Sequence, residues 1–290
     1  MPNIYKYKIG SITIALNAQT SSCSFEDEKQ FDGFLTQTTP DVRIEVHCQS
    51  TLEGLADGLN GRKIFDTNVN WYLSQVGDKK ALFQRSADNN PARMAFFSPD
   101  FHSGEIYVRA VAESPDLFYF PLSAPMGKVF LINLLAQGYG VLIHACGVIE
   151  NGKGLVFAGF SGTGKTTVSK LWNTETGARV INDDTLILQK VNGRFWVYGT
   201  PWHGLGGFAL PDGAPLDKVF VLKQANKNQA SQLTPGEATT SLLARSFPPY
   251  WDAEGMDFTL GFLGDLSHSL PSYDLGFVPE KSLPEYVRCL

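Results

Sequence analysis

Polar and apolar positions divide the chain into two stretches of different rhythm. In residues 1–120, short runs of strand composition (12–16, 42–46, 71–73, 81–83 and 105–108) are separated by Gly, Asn and Asp clusters such as Asp88-Asn89-Asn90-Pro91. This pattern predicts a β-rich N-terminal domain, structural or substrate-facing, with no nucleotide or metal motif. A Ser- and Pro-containing stretch, 114–125, marks a boundary. Residues 126–137 then read as a helix ended by Gly138 and Gly140. From there to the end, 121–290, apolar strands (141–144, 155–158, 179–182) alternate with helical runs, the pattern of an α/β domain. The polar segment 224–231 reads as an exposed loop, and neither an internal repeat nor a low-complexity tract is visible.

Between the apolar runs 141–149 and 155–158 stands Asn151-Gly152, a two-residue hairpin signal. With these two residues at the turn centre, Glu150 faces Lys153, and His144 falls opposite Gly159. That register sets a histidine beside the first residue of the chain's strongest motif.

The motif is Gly159-Phe160-Ser161-Gly162-Thr163-Gly164-Lys165-Thr166, which matches G-x-x-x-x-G-K-[ST] at every defined position. It follows an apolar strand and opens a helix-compatible run, with Thr167 next and Gly177 as the break. Glycines let successive N–H groups turn inward, and a helix N-terminus adds partial positive charge where phosphates sit. Lys165 would reach the β- and γ-phosphates of a nucleoside triphosphate, and the Thr166 hydroxyl would hold Mg²⁺.

Asp183 and Asp184 directly follow the strand 179–182, at a carboxyl end where open sheets bind ligands. One carboxylate there can hold Mg²⁺ and another can take a proton from an attacking hydroxyl. Neighbours on a strand face opposite sides, so the two should serve different roles. A histidine in the position of His144 can bind or stabilise a transferring phosphate. His203, after Trp202 in a Gly-rich turn, fits either a substrate contact or packing under the tryptophan.

Composition narrows the partners. Net charge is −5 and no basic block stands out, which argues against nucleic acid and acidic membrane surfaces. The longest apolar stretch, 129–149, is interrupted by Asn133, Gln137, Gly138, Gly140 and His144, unlike a membrane span of about 20 apolar residues. Cys23, Cys48, Cys146 and Cys289 are far apart and lack zinc spacing, so free thiols in a reducing compartment are expected. The start of the chain shows no signal-peptide pattern, and a cytoplasmic location is the expectation.

His144, the glycine loop and Asp183-Asp184, spaced 21 and 18 positions either side of Lys165, resemble the kinase domain of HPr kinase/phosphorylase. The nucleotide-binding half of ATP-dependent phosphoenolpyruvate carboxykinase is similar at greater distance, chiefly in the loop itself. The resemblance covers 142–188, about a sixth of the chain. It implies an α/β P-loop domain of the HPr kinase/carboxykinase type behind the β-rich domain, α+β overall. It implies ATP and Mg²⁺ as cofactors and transfer of the γ-phosphoryl group to a hydroxyl, with a serine of a protein or peptide favoured. By the same resemblance, Lys165 and His144 are active-site residues, Asp183 is the base, and Thr166 and Asp184 hold the metal. Arg245, in Leu243-Ala244-Arg245-Ser246-Phe247, stands for the family's downstream arginine. The family's Glu-Ile-Arg-Gly-Leu-Gly stretch is absent; the nearest segment, 199–207, has no acid. A small-molecule kinase, a carboxykinase-like enzyme and a non-catalytic nucleotide sensor are the alternatives, and homo-oligomerisation is compatible with all of them.

Overall fold

The computed structural model describes residues 3–18, 24–26, 28–53, 61–87, 90–111 and 114–290. The chain folds as two compact units: Met1–Lys8 with Ile12–Leu134, and Ile9–Ser11 with Leu135–Leu290. Both carry mixed α/β structure in which strands predominate.

The first unit holds β1 (Asn3–Ile9), β2 (Ile12–Ala18), β3 (Ser24–Phe25), β4 (Val42–Gln49), β5 (Arg62–Asp66), β6 (Trp71–Val76), β7 (Lys79–Arg85), β8 (Pro91–Phe97), β9 (Ser103–Val111) and β10 (Ser114–Phe118). They pair in the order β1-β2-β4-β9-β8-β7-β6-β5, with β10 on β9 and β3 on β10. Period-2 alternation buries Val42, Ile44 and Val46 of β4 with Ile106 and Val108 of β9 on one face. Helix α1 (Met126–Leu135) covers this core, its Phe130 ring 5.0 Å from that of Phe97. The stretch expected to mark a boundary at 114–125 therefore begins as a strand, and the helix after it belongs to the first unit as far as Leu134. Asp88 and Asn89 of the expected turn, and Cys23, lie outside the described residues. The expectation of free thiols is corrected at Cys48, which is disulfide-bonded; Cys146 and Cys289 are free.

The second unit contains β11 (Val141–Glu150), β12 (Lys153–Ala158), α2 (Lys165–Glu175), β13 (Arg179–Asn182), β14 (Thr185–Val191), β15 (Arg194–Gly199), β16 (Gly213–Gln224), β17 (Gln229–Gln232), α3 (Pro235–Leu243), α4 (Ala253–Ser269), β18 (Ser272–Phe277) and α5 (Leu283–Arg288). The sheet runs β12-β11-β14-β15-β16-β18-β17, and β12 also pairs with β16, so five strands close into a ring. Alternate residues of β11, β12, β13 and β16 feed two cores. Val156, Ala158 and Val219 pack with Leu242 of α3 and Leu263 and Leu266 of α4. Phe157, Phe220 and Leu222 pack with Val168 and Trp172 of α2 and Val287 of α5. Burial of both faces explains why these strands read as continuous apolar runs.

Among the described strands of this unit β12–β16 and β16–β18 are parallel and the other pairings antiparallel. One expectation is corrected here. The exposed segment 224–231 is not all loop: Gln229–Gln232 pairs antiparallel with β18 as an edge strand.

Candidate functional site

The site starts from the hairpin. Asn151 and Gly152 both have positive φ, 51° and 75°, as a type I′ turn requires. The register runs from Glu150↔Lys153 to Ala145↔Ala158, and Gly159 N donates to His144 O at 3.3 Å. This is the register that Asn151-Gly152 predicts, and it brings His144 alongside the root of the glycine loop.

Beyond Ala158 the chain turns through Gly162 (φ 80°) and Gly164 (φ 106°) into α2. Gly159 must lack a side chain, since a Cβ there would lie 2.2 Å from Thr163 Oγ1. No side chain caps α2, so its first-turn N–H groups open outward. Lys165 is buried, and its Nζ donates to Gly159 O at 3.0 Å and Phe160 O at 3.2 Å. Burial lowers the Lys165 pKa, against the opposing pull of Asp184, Cys146 and Asp183.

The carboxylates sit where one strand is interrupted. The same strand, β11, pairs antiparallel with β14 through its first half (His144↔Thr185) and with β13 through its second (Gly147↔Asn182). Asp183 and Asp184 fill the break between β13 and β14. Asn182 makes the break affordable: its Oδ1 accepts from Asp184 N (2.7 Å) and Thr185 N (2.8 Å). Its Nδ2 donates to Thr200 O at 2.8 Å and Trp202 O at 3.2 Å, tying the break to the Gly-rich turn.

The two acids have separate partners. Asp183 is 1% exposed and accepts from Gly204 N (3.0 Å), Gly206 N (2.7 Å) and Thr166 Oγ1 (3.3 Å). A Cβ on Gly204 or Gly206 would come within 2.9 or 2.6 Å of Asp183 Oδ2, so the enclosing turn needs both glycines. Asp184 instead pairs with His144, Oδ1 to Nε2 at 3.0 Å, and accepts from Thr185 Oγ1 at 2.8 Å. Both members of that pair are partly open to solvent, at 26% and 23%.

A cavity of about 360 Å³ gathers His144, Ser161, Gly162, Gly164, Lys165, Thr166, Thr167, Asp183, Asp184, Gly204 and Leu205. Phe160 is half exposed and does not line it; its ring lies under the Arg245 guanidinium at 4.3 Å. Arg245 does not line the cavity either. Its Nη1 donates to Ser241 O at 2.9 Å, burial lowers its pKa, and its carbonyl holds His144 N at 2.7 Å. His203 is exposed, with Nδ1 turned to Gly204 O, and is likewise off the cavity. The glycines that enclose Asp183, and Asn182 behind them, were not singled out from sequence; the run Gly204-Leu205-Gly206-Gly207 is the signal that marks them.

No family model matches the chain, and no curated protein matches its sequence. Among solved structures it is similar to the HPr(Ser) kinase/phosphatase from Coxiella burnetii, at 14% identity over 51% of this chain and 87% of that one, with a TM-score of 0.32. The likeness is distant, and the side chains of the cavity carry the functional argument.

Proposed function

We propose that the second unit binds a nucleoside triphosphate with Mg²⁺, ATP being the expected one, and transfers its γ-phosphoryl group to an acceptor hydroxyl. One observation carries this: a lysine, a hydroxyl, two differently partnered carboxylates and a histidine converge on one cavity at an uncapped helix start.

The residues suit a magnesium–triphosphate. Mg²⁺ is held through one or two carboxylates plus phosphate oxygens, not by a full protein cage. Among the described residues no cluster of three or more His, Cys, Asp or Glu forms such a cage. The Thr166 hydroxyl already meets Asp183 at 3.3 Å, so these two would hold the ion. When bound, it neutralises phosphate charge.

Hydrogen bonding favours an exchange of the roles that the family resemblance implies. Both oxygens of Asp183 are occupied and the group is closed off, which suits a metal ligand. Asp184 is more open and oriented by His144, which suits a base. Loop N–H groups and Lys165 Nζ, released from its carbonyls, hold the phosphates. The acceptor oxygen attacks the γ-phosphorus, its proton passes to the Asp184 carboxylate, the bond to the β–γ bridging oxygen breaks, and the diphosphate leaves. Fully exposed Leu205 at the cavity favours a peptide-like acceptor over a compact charged metabolite.

Incubation with γ-labelled ATP and a set of protein and small-molecule acceptors tests the proposal, with Lys165→Ala as control. Label transfer that Lys165→Ala abolishes is expected. ATP binding without transfer or hydrolysis would instead support the sensor alternative.

A further inference from the structure

Three parallel strands end side by side at the glycine loop: β12 at Ala158, β16 at Gln224 and β18 at Phe277. Parallel strands bind ligands outside their carboxyl ends, and the phosphate cavity uses only the first of these. At the other two lies a second cavity of about 320 Å³, with Lys223, Gln224, Gln229, Ala230, Ser231 and Asp274 in its wall. That volume falls within the range of small-molecule sites.

Two contacts bind the ends of β16 and β18 to the loop. Gln224 Nε2 donates to Gly162 O at 3.0 Å, and Gly162 lines the phosphate cavity. The Phe277 ring abuts Gly164, where a Cβ would lie 2.6 Å from it. The connection 225–228 is fixed in turn: Asn228 Oδ1 accepts from Val278 N at 3.0 Å, and a Cβ on Gly276 would strike Ala225 at 2.9 Å. A ligand reaching past Gly162 meets a preformed wall.

The chemistry of that wall is wrong for a second phosphate and right for a nucleoside. Its cation, Lys223, is already paired with Asp274 at 2.5 Å. The amides of Gln224 and Gln229 each offer a donor and an acceptor, as base edges do, and the Ser231 hydroxyl matches a ribose hydroxyl. We infer that this cavity receives the base and ribose of the triphosphate whose phosphates occupy the glycine loop. The inference rests on the proposed function and adds where the nucleoside goes and what selects it.

Calorimetry with Mg²⁺ and two probes, ATP and inorganic tripolyphosphate, separates the two halves of the ligand. Ser231→Trp, on the exposed face of β17 opposite Asp274, fills the cavity and should weaken ATP about tenfold or more and leave tripolyphosphate within about twofold. Gln229→Ala is a milder second variant that keeps the test open if the tryptophan disturbs folding; it should weaken ATP about threefold and tripolyphosphate not at all. Equal losses for both probes, or no loss for ATP, would overturn the inference. Unchanged ATP affinity with a weakened acceptor would assign the cavity to the acceptor and overturn it too. Tripolyphosphate binding that ignores Lys165→Ala would overturn the reading of the glycine loop itself, and this inference with it.

Discussion

The backbone N–H of Gly206 donates to Asp183 Oδ2 at 2.7 Å, the same oxygen that accepts from the Thr166 hydroxyl. A remote turn thus positions the carboxylate against the first turn of α2. Gly206→Ala would place a Cβ 2.6 Å from that oxygen. We expect a stability loss of about 1–3 kcal/mol and a fall in nucleotide affinity. Thermal melts with and without Mg-ATP check both; a variant that melts and binds like wild type would show that the turn tolerates a side chain.

The proposed division of labour between the acids is testable by amide substitution. Asp184→Asn should leave ATP affinity nearly unchanged and slow transfer by about 10²–10⁴. Asp183→Asn should instead weaken binding in a way that added Mg²⁺ partly restores. The opposite pattern in titrations and single-turnover rates would return the base to Asp183.

On the proposed function, Lys165 should make triphosphate binding pH-dependent. Burial lowers its folded pKa below the ordinary 10.5, so between the two values the unfolded chain holds more protons and stability rises with pH. A bound triphosphate favours the ammonium, so binding takes up a proton and affinity falls as pH climbs through that window. Calorimetry in alkaline buffers of different ionisation heat should report this uptake. Lys165→Arg, whose guanidinium stays charged, should bind without it. Buffer-independent heats for wild type would contradict the coupling.

Arg245 is expected to act through position rather than chemistry. Its guanidinium stacks on Phe160 while its carbonyl holds His144 N. Arg245→Ala keeps that carbonyl and should lower transfer less than about tenfold. A loss of about 10³ or more at unchanged melting temperature would place the guanidinium on the reacting phosphate.

The two free thiols among the described residues should separate cleanly. Burial pushes the Cys146 thiol up to about 12, whereas Cys289 is exposed. Iodoacetamide at neutral pH should label Cys289 in the native protein and Cys146 only after unfolding, read by peptide mass spectrometry.

What was legible in the sequence was local. Asn151-Gly152 sets the β11–β12 register, and Gly162 and Gly164 show where the loop must turn. The break at Asp183-Asp184 was visible only as a strand end, because it exists through β11 changing partners and through Asn182 satisfying freed N–H groups. The enclosure of Asp183 joins residues more than twenty positions apart, which no periodicity encodes. The bond at Cys48 left no spacing signature.

The closed ring also bears on how the protein is made. As synthesis proceeds, β12 emerges carrying the glycine loop with one side bare, and its second neighbour arrives only with residues 216–221. Such long-range pairings slow folding and leave an unpaired edge in the nascent chain. A polypeptide stopped before Gly213 would hold every residue of the glycine-loop motif and both acids, yet lack the strand that closes the ring. Competence should therefore appear late on the ribosome, in one step, when β16 docks.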